Sequence, residues 1–195
     1  MRKITGLAIA LALIAPLQAA ASTTVYEVKA LQNSTSGGVG VPVSVFAGES
    51  FSVSVDILDL WNAGPLPRWS NADGLNAVLL STGAADVNGD NPNVVAGNKI
   101  GDVLPFWTQN GLTAPYGSLV GQWGSGGDYF TVGTHFTGTA VDNTLNLFYF
   151  DSNTGGNRGS VLASVSAVPE PETYAMLLAG LGLMGFIARR RKTAA

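Results

Sequence analysis

The sequence predicts an all-β protein, an antiparallel β-sandwich of jelly-roll type, set between two apolar ends of different character. Three observations lead there. Apolar residues in the interior of the chain alternate with polar ones, where a helix would repeat them at three and four. Glycine-rich punctuation separates short runs of this kind. Finally, 21 of the 25 glycines fall in residues 22–168, where long-helix formers are sparse. Alternation at period two marks a strand whose faces meet different surroundings. Many short strands with turn signals between them point to a sandwich or jelly roll.

Phe51, Val53, Val55 and Ile57 share one strand face, with Ser52, Ser54 and Asp56 on the other. Leu145, Leu147 and Tyr149 alternate with Asn146, Phe148 and Phe150, which predicts a strand partly buried on both faces. Val161, Ala163 and Val165 predict a closing strand. Residues 23–31, 41–46, 77–80, 118–123 and 129–132 give weaker strand patterns, and a short helix is expected around 101–109. Gly37-Gly38, Gly83, Gly89, Gly126-Gly127 and Gly155-Gly156 punctuate the runs. Residues 65–76 and 86–97 read as long loops, a length that usually carries function. No repeat of 20–50 residues is present, which argues against a solenoid or propeller.

The two ends are targeting segments. Met1-Arg2-Lys3 is followed by a nearly unbroken apolar run from Ile4 to Leu17 and then by small residues, the layout of a secretory signal. Ala19 and Ala21 suit cleavage before Ser22, so residues 1–21 are expected to form a removable signal helix. At the other end, residues 169–195 hold Pro169-Glu170-Pro171, an apolar stretch at 174–188 and the cations Arg189, Arg190, Arg191 and Lys192. As a helix the apolar stretch is about 22 Å long at ~1.5 Å per residue, short of the roughly 30 Å hydrocarbon core. The basic cluster fixes its end on the cytoplasmic side and leaves the body facing outward.

This layout resembles the PEP-CTERM sorting signal. The resemblance implies recognition by exosortase, a membrane protease-transpeptidase. It also implies a transient stay at the inner membrane, removal of the tail, and delivery to the cell surface or exopolysaccharide matrix.

Between the ends, residues 22–168 suit one domain. Lys29, Arg68, Lys99 and Arg158 stand against eleven acids, a net of −7 that the whole-chain value of −3 conceals. Nucleic acid is excluded as a partner, because phosphate binding needs clustered Lys and Arg. The chain has no cysteine, so neither a disulfide framework nor thiol chemistry enters.

The segment Asn110-Gly111-Leu112-Thr113-Ala114-Pro115-Tyr116-Gly117-Ser118-Leu119-Val120-Gly121 is followed by Tyr129-Phe130-Thr131-Val132-Gly133 and then by residues 145–151. Together they resemble the galactose-binding-like β-sandwich of the calcium-dependent bacterial galactophilic lectins. The resemblance implies a calcium site built from the side chains of Asp151, Thr154 and Asn157 with the Tyr116 carbonyl, its shell completed by sugar hydroxyls. Calcium takes six to eight oxygens. Two departures weaken the parallel: Gly156 stands where the lectins carry the first of two Asn, and Arg158 adds a cation beside the site. Without the resemblance, the loop reads as a hydrogen-bonded Asx-rich turn and no cofactor is expected.

Asp86-Val87-Asn88-Gly89-Asp90-Asn91 places oxygen ligands at positions 1, 3 and 5, as an EF-hand loop does, but lacks the glycine at 6 and the acid at 12. The one histidine, His135, has no nucleophile elbow to serve. No pair of acids is set across from one another as glycoside hydrolysis requires. Trp61 and Trp69 flank a Pro-rich loop and are the aromatic residues best placed to stack on sugar rings. The sequence therefore leads to a non-enzymatic, exported envelope or matrix protein that associates with polysaccharide. A calcium-dependent lectin is the alternative, and a secreted hydrolase the second.

Overall fold

The computed structural model describes residues 22–167, 177–185 and 189. Residues 22–167 and the helix at 177–185 lie in separate compact units, each described on its own. The signal segment at 1–21, the Pro169-Glu170-Pro171 triplet, and Arg190 and Arg191 fall outside the described residues. Within the expected apolar helix at 174–188, residues 177–185 are helical, with Leu177, Leu181, Leu183 and Met184 exposed. Among the described residues, no helix is long and apolar enough to cross a membrane.

The body is all-β. In chain order its strands are β1 (Thr23–Lys29), β2 (Val41–Ser44), β3 (Ser50–Ser54), β4 (Trp61–Ala63), β5 (Trp69–Ser70), β6 (Leu79–Leu80) and β7 (Lys99–Gly101). They continue with β8 (Trp107–Gln109), β9 (Leu112–Ala114), β10 (Leu119–Trp123), β11 (Tyr129–Thr131), β12 (His135–Thr139), β13 (Thr144–Tyr149) and β14 (Asn157–Ala167). A six-stranded sheet runs β12-β3-β14-β4-β5, with β1 also on β14, and a four-stranded sheet runs β11-β10-β13-β2. Every pairing within both is antiparallel.

β14 organises the larger sheet. Its Ser160–Ser166 stretch pairs with β1, its Ser164–Ala167 end with β3, and its Asn157–Gly159 start with β4. The core lies between the two sheets: Val28, Val53, Trp61, Val161, Ala163 and Val165 from one meet Val43, Leu119, Leu145, Leu147 and Tyr149 from the other. Each such aliphatic or aromatic side chain contributes about 1.5–3 kcal/mol when fully buried.

β13 is buried on both faces, as its alternation predicts. Leu145, Leu147 and Tyr149 enter the main core, while Phe148 and Phe150 join Ala114, Val120 and Tyr129 in a second cluster on the outer side. The β8–β9 hairpin contributes to that outer layer through Ala114 and Leu112. It turns on Asn110-Gly111, both at positive φ (42° and 76°), the residue pair that a two-residue hairpin turn favours.

Two expectations are corrected. The helix around 101–109 is absent: the chain passes from β7 to β8 in extended form, and only Leu104 of the connection packs on the core. Ile57 does not share the buried face of Phe51, Val53 and Val55, because β3 ends at Ser54. Asp56 then turns the chain by accepting from Leu58 N (2.8 Å), and Ile57 is 64% exposed.

Candidate functional site

The site grows from one cross-strand row. In register, Arg158 of β14 lies opposite Asn62 of β4, and Asn62 lies opposite Trp69 of β5. Residues directly opposite in an antiparallel pair point to the same face. Arg158, Asn62 and Trp69 all line a groove of about 390 Å³. One residue further along, the row Gly159–Trp61–Ser70 faces the other way, into the core.

Two loops wall the groove. Pro65 and Leu66 come from the β4–β5 connection, and Asp90, Asn91, Pro92 and Asn93 from the long 86–97 loop. Gly64 (φ 127°) and Gly156 (φ 95°) let the β4–β5 turn and the 151–160 loop meet back to back, since a Cβ on Gly156 would sit 3.2 Å from Gly64 Cα. The 86–97 loop is clamped in place by its first acid. Asp86 Oδ1 accepts from Asn88 N (3.1 Å) and Asp90 N (2.8 Å), and Oδ2 accepts from Leu60 N (2.8 Å). Asn88 donates to Ser160 O (2.6 Å), and Asp90 Oδ2 accepts from Ser160 N (2.8 Å), which ties the loop to β14.

Asp59 underlies this clamp. Its Oδ2 accepts from Leu162 N (2.7 Å), while its buried Oδ1 has no partner among the described residues. Burial, with Asp86, Asp90 and Asp56 nearby, pushes its pKa up to about 6. Asp90 is raised in the same sense, chiefly by burial.

Trp61 is fully buried and cannot stack on a ligand. Its ring meets Tyr149 edge-on at 4.6 Å, and its Nε1 donates to Gly117 O (2.7 Å) and to Asn71 O (3.2 Å). Trp69, by contrast, is 8% exposed and lines the groove. Asp151 and Asn157 come together in a buried turn. Asp151 Oδ1 accepts from Ser152 N (2.7 Å), and burial raises its pKa against the opposing effects of the Asn157 amide and Arg68. Asn157 Nδ2 donates to Ala30 O (3.2 Å), and its buried Oδ1 has no partner among the described residues.

Thr154 belongs to the same turn, half-buried, and its carbonyl accepts from Asn157 N (3.3 Å). The Tyr116 carbonyl accepts from Leu75 N (2.7 Å), and its ring stacks on Trp107. Of the four proposed calcium donors, the structure joins Asp151 to Asn157 and engages the Tyr116 carbonyl with a backbone amide. Gly156 cannot be made up by an Asn without straining a backbone at φ 95°. Among the described residues, no group of three or more acid or histidine side chains is arranged to hold a metal.

Sequence reasoning did not name Asn62, Asn91, Asn93 or Arg158 as groove residues. The length of the 65–76 and 86–97 loops was the available signal. Their convergence depends on the β14–β4–β5 register, which no local pattern encodes.

Residues 167–192 match the PEP-CTERM protein-sorting motif. The chain carries a PEP-CTERM sorting tail. It is therefore an exported protein sorted by exosortase, with a membrane-anchoring C-terminal signal. The motif spans Pro169, Glu170, Pro171 and the Arg189–Arg191 cluster, while the strands up to Ser166 lie outside it. No curated protein matches the chain.

Proposed function

We propose that the body is a non-enzymatic polysaccharide-binding module, delivered by its PEP-CTERM tail to the cell surface or extracellular matrix. The carrying observation is the groove. Trp69, Pro65, Leu66 and Pro92 line it together with the polar groups of Asn62, Asp90, Asn91, Asn93 and Arg158. Sugar rings offer an apolar face and a rim of hydroxyls, and this pairing of surfaces suits them. The full chain in detergent, applied to a glycan array, should bind carbohydrate with chelator present and lose that binding in Trp69→Ala. Binding that is absent, or unchanged in the variant, would overturn the reading.

A calcium-dependent lectin is the second reading, favoured by the buried, partnerless Asn157 Oδ1 beside Asp151. Binding that appears only with calcium, and disappears in Asp151→Ala, would establish it instead. Tail processing supplies a separate check on delivery. Surface material should lack Arg189 and the residues after it, and Pro169→Ala with Pro171→Ala should make the tail persist in mass spectra.

A further inference from the structure

We infer that the groove takes an anionic sugar, a uronate-type carboxylate on a polysaccharide chain, with Arg158 as the recognising group. This rests on the polysaccharide reading above and narrows its ligand class.

The body carries only four cations against eleven acids. Two of the four are neutralised locally, Lys29 by Glu27 (3.3 Å) and Lys99 by Asp102. Arg68 and Arg158 make no ion pair among the described residues, and both are exposed. Of the two, Arg158 lines the groove beside Asn62, whereas Arg68 lies outside its lining and favours the buried Asp151 carboxylate.

In so acidic a body, pairing driven by surface charge alone would not leave the guanidinium at the groove without a carboxylate. Asp90, which lines the groove with Arg158, turns its Oδ2 to Ser160 N instead. An arginine fork presents parallel N–H donors that match a carboxylate and leave a neutral hydroxyl half-satisfied. The rest of the surface, net negative, repels a polyanion, so such a chain gains attraction at the groove where Arg158 stands.

The test uses the full chain in detergent with chelator present, titrated calorimetrically with short oligogalacturonates. The control ligand is the same oligosaccharides after chemical reduction of their carboxyl groups to alcohols. The uronate form should bind at least about tenfold more tightly than the reduced form, the loss expected for one charge-assisted contact. Arg158→Gln should bring that ratio close to one, and Arg158→Lys should restore part of it. Equal binding of the two forms would overturn the anionic inference while leaving the polysaccharide reading intact. Binding of neither form, with neutral glycans also silent on the array, would overturn both. If Arg158→Gln fails to fold, the comparison of the two ligands on the unaltered chain decides alone.

Discussion

Two faces of one narrow ribbon, β14–β4–β5, hold the protein's most buried tryptophan and its candidate binding surface. Gly159, Trp61 and Ser70 form the inward row, and Arg158, Asn62 and Trp69 form the groove row one residue away. Trp61 and Trp69 both border the same Pro-rich turn, yet strand parity sends one into the core and the other to the groove. The chemistry open to an aromatic residue here is set by its register partner and is independent of the loop beside it.

Trp61→Ala should cost about 3–5 kcal/mol in urea unfolding, through the cavity, the lost Tyr149 contact and an orphaned Gly117 carbonyl. Arg158→Gln, one residue away in register, should stay within about 0.5 kcal/mol. Similar costs for the two would refute the parity argument.

The loop clamp gives the next largest effect. Asp86→Ala removes the acceptor for three backbone amides and should cost about 2–4 kcal/mol. A loss below about 1 kcal/mol would mean that the 86–97 loop is held by something else.

Below it lies a pH effect. The folded pKa of Asp59, about 6, is above its ordinary 3.8, so its contribution is fully present below pH 3.8 and is lost as pH rises through 6. Stability should therefore rise on the order of 2 kcal/mol between pH 7 and pH 4.5 from this group, and Asp59→Asn should flatten that part of the curve. A denaturation series that shows the same slope in parent and variant would remove Asp59 as the cause. The 151–160 loop gives the smallest response. Gly156→Asn should cost about 1–2 kcal/mol because φ 95° strains a side-chain-bearing residue. Millimolar calcium should move the parent's melting temperature by less than about 1 °C; a clear rise, lost in Asp151→Ala, would restore calcium to this loop.

What the sequence discloses follows from how local each cause is. β13 was readable on both faces because Leu145, Leu147 and Tyr149 on one side and Phe148 on the other are present in the strand itself, with Phe150 just past its end. β4 was not, because Trp61, Asn62 and Ala63 are all buried and so show no alternation. β12 carries Phe136 as its one large apolar residue, with glycine at 138 leaving room for that ring, and such a strand has no periodic signal. The expected helix at 101–109 overlooked the Asn110-Gly111 turn that commits 107–114 to a hairpin. The sorting tail was fully legible, since its motif is read as linear sequence. The groove was half legible: loop length marked its walls, while its floor is a cross-strand row drawn from three separated segments.

The placement of β14 has a consequence for secretion. It is the final strand of the body, and β1, β3 and β4 all depend on it for hydrogen-bonding partners. The first-made strand thus waits for the last, with Thr23 opposite Ser166. Such widely separated pairings form late and slowly. Until residue 167 has left the translocation channel, the larger sheet lacks its central member and the chain stays threadable.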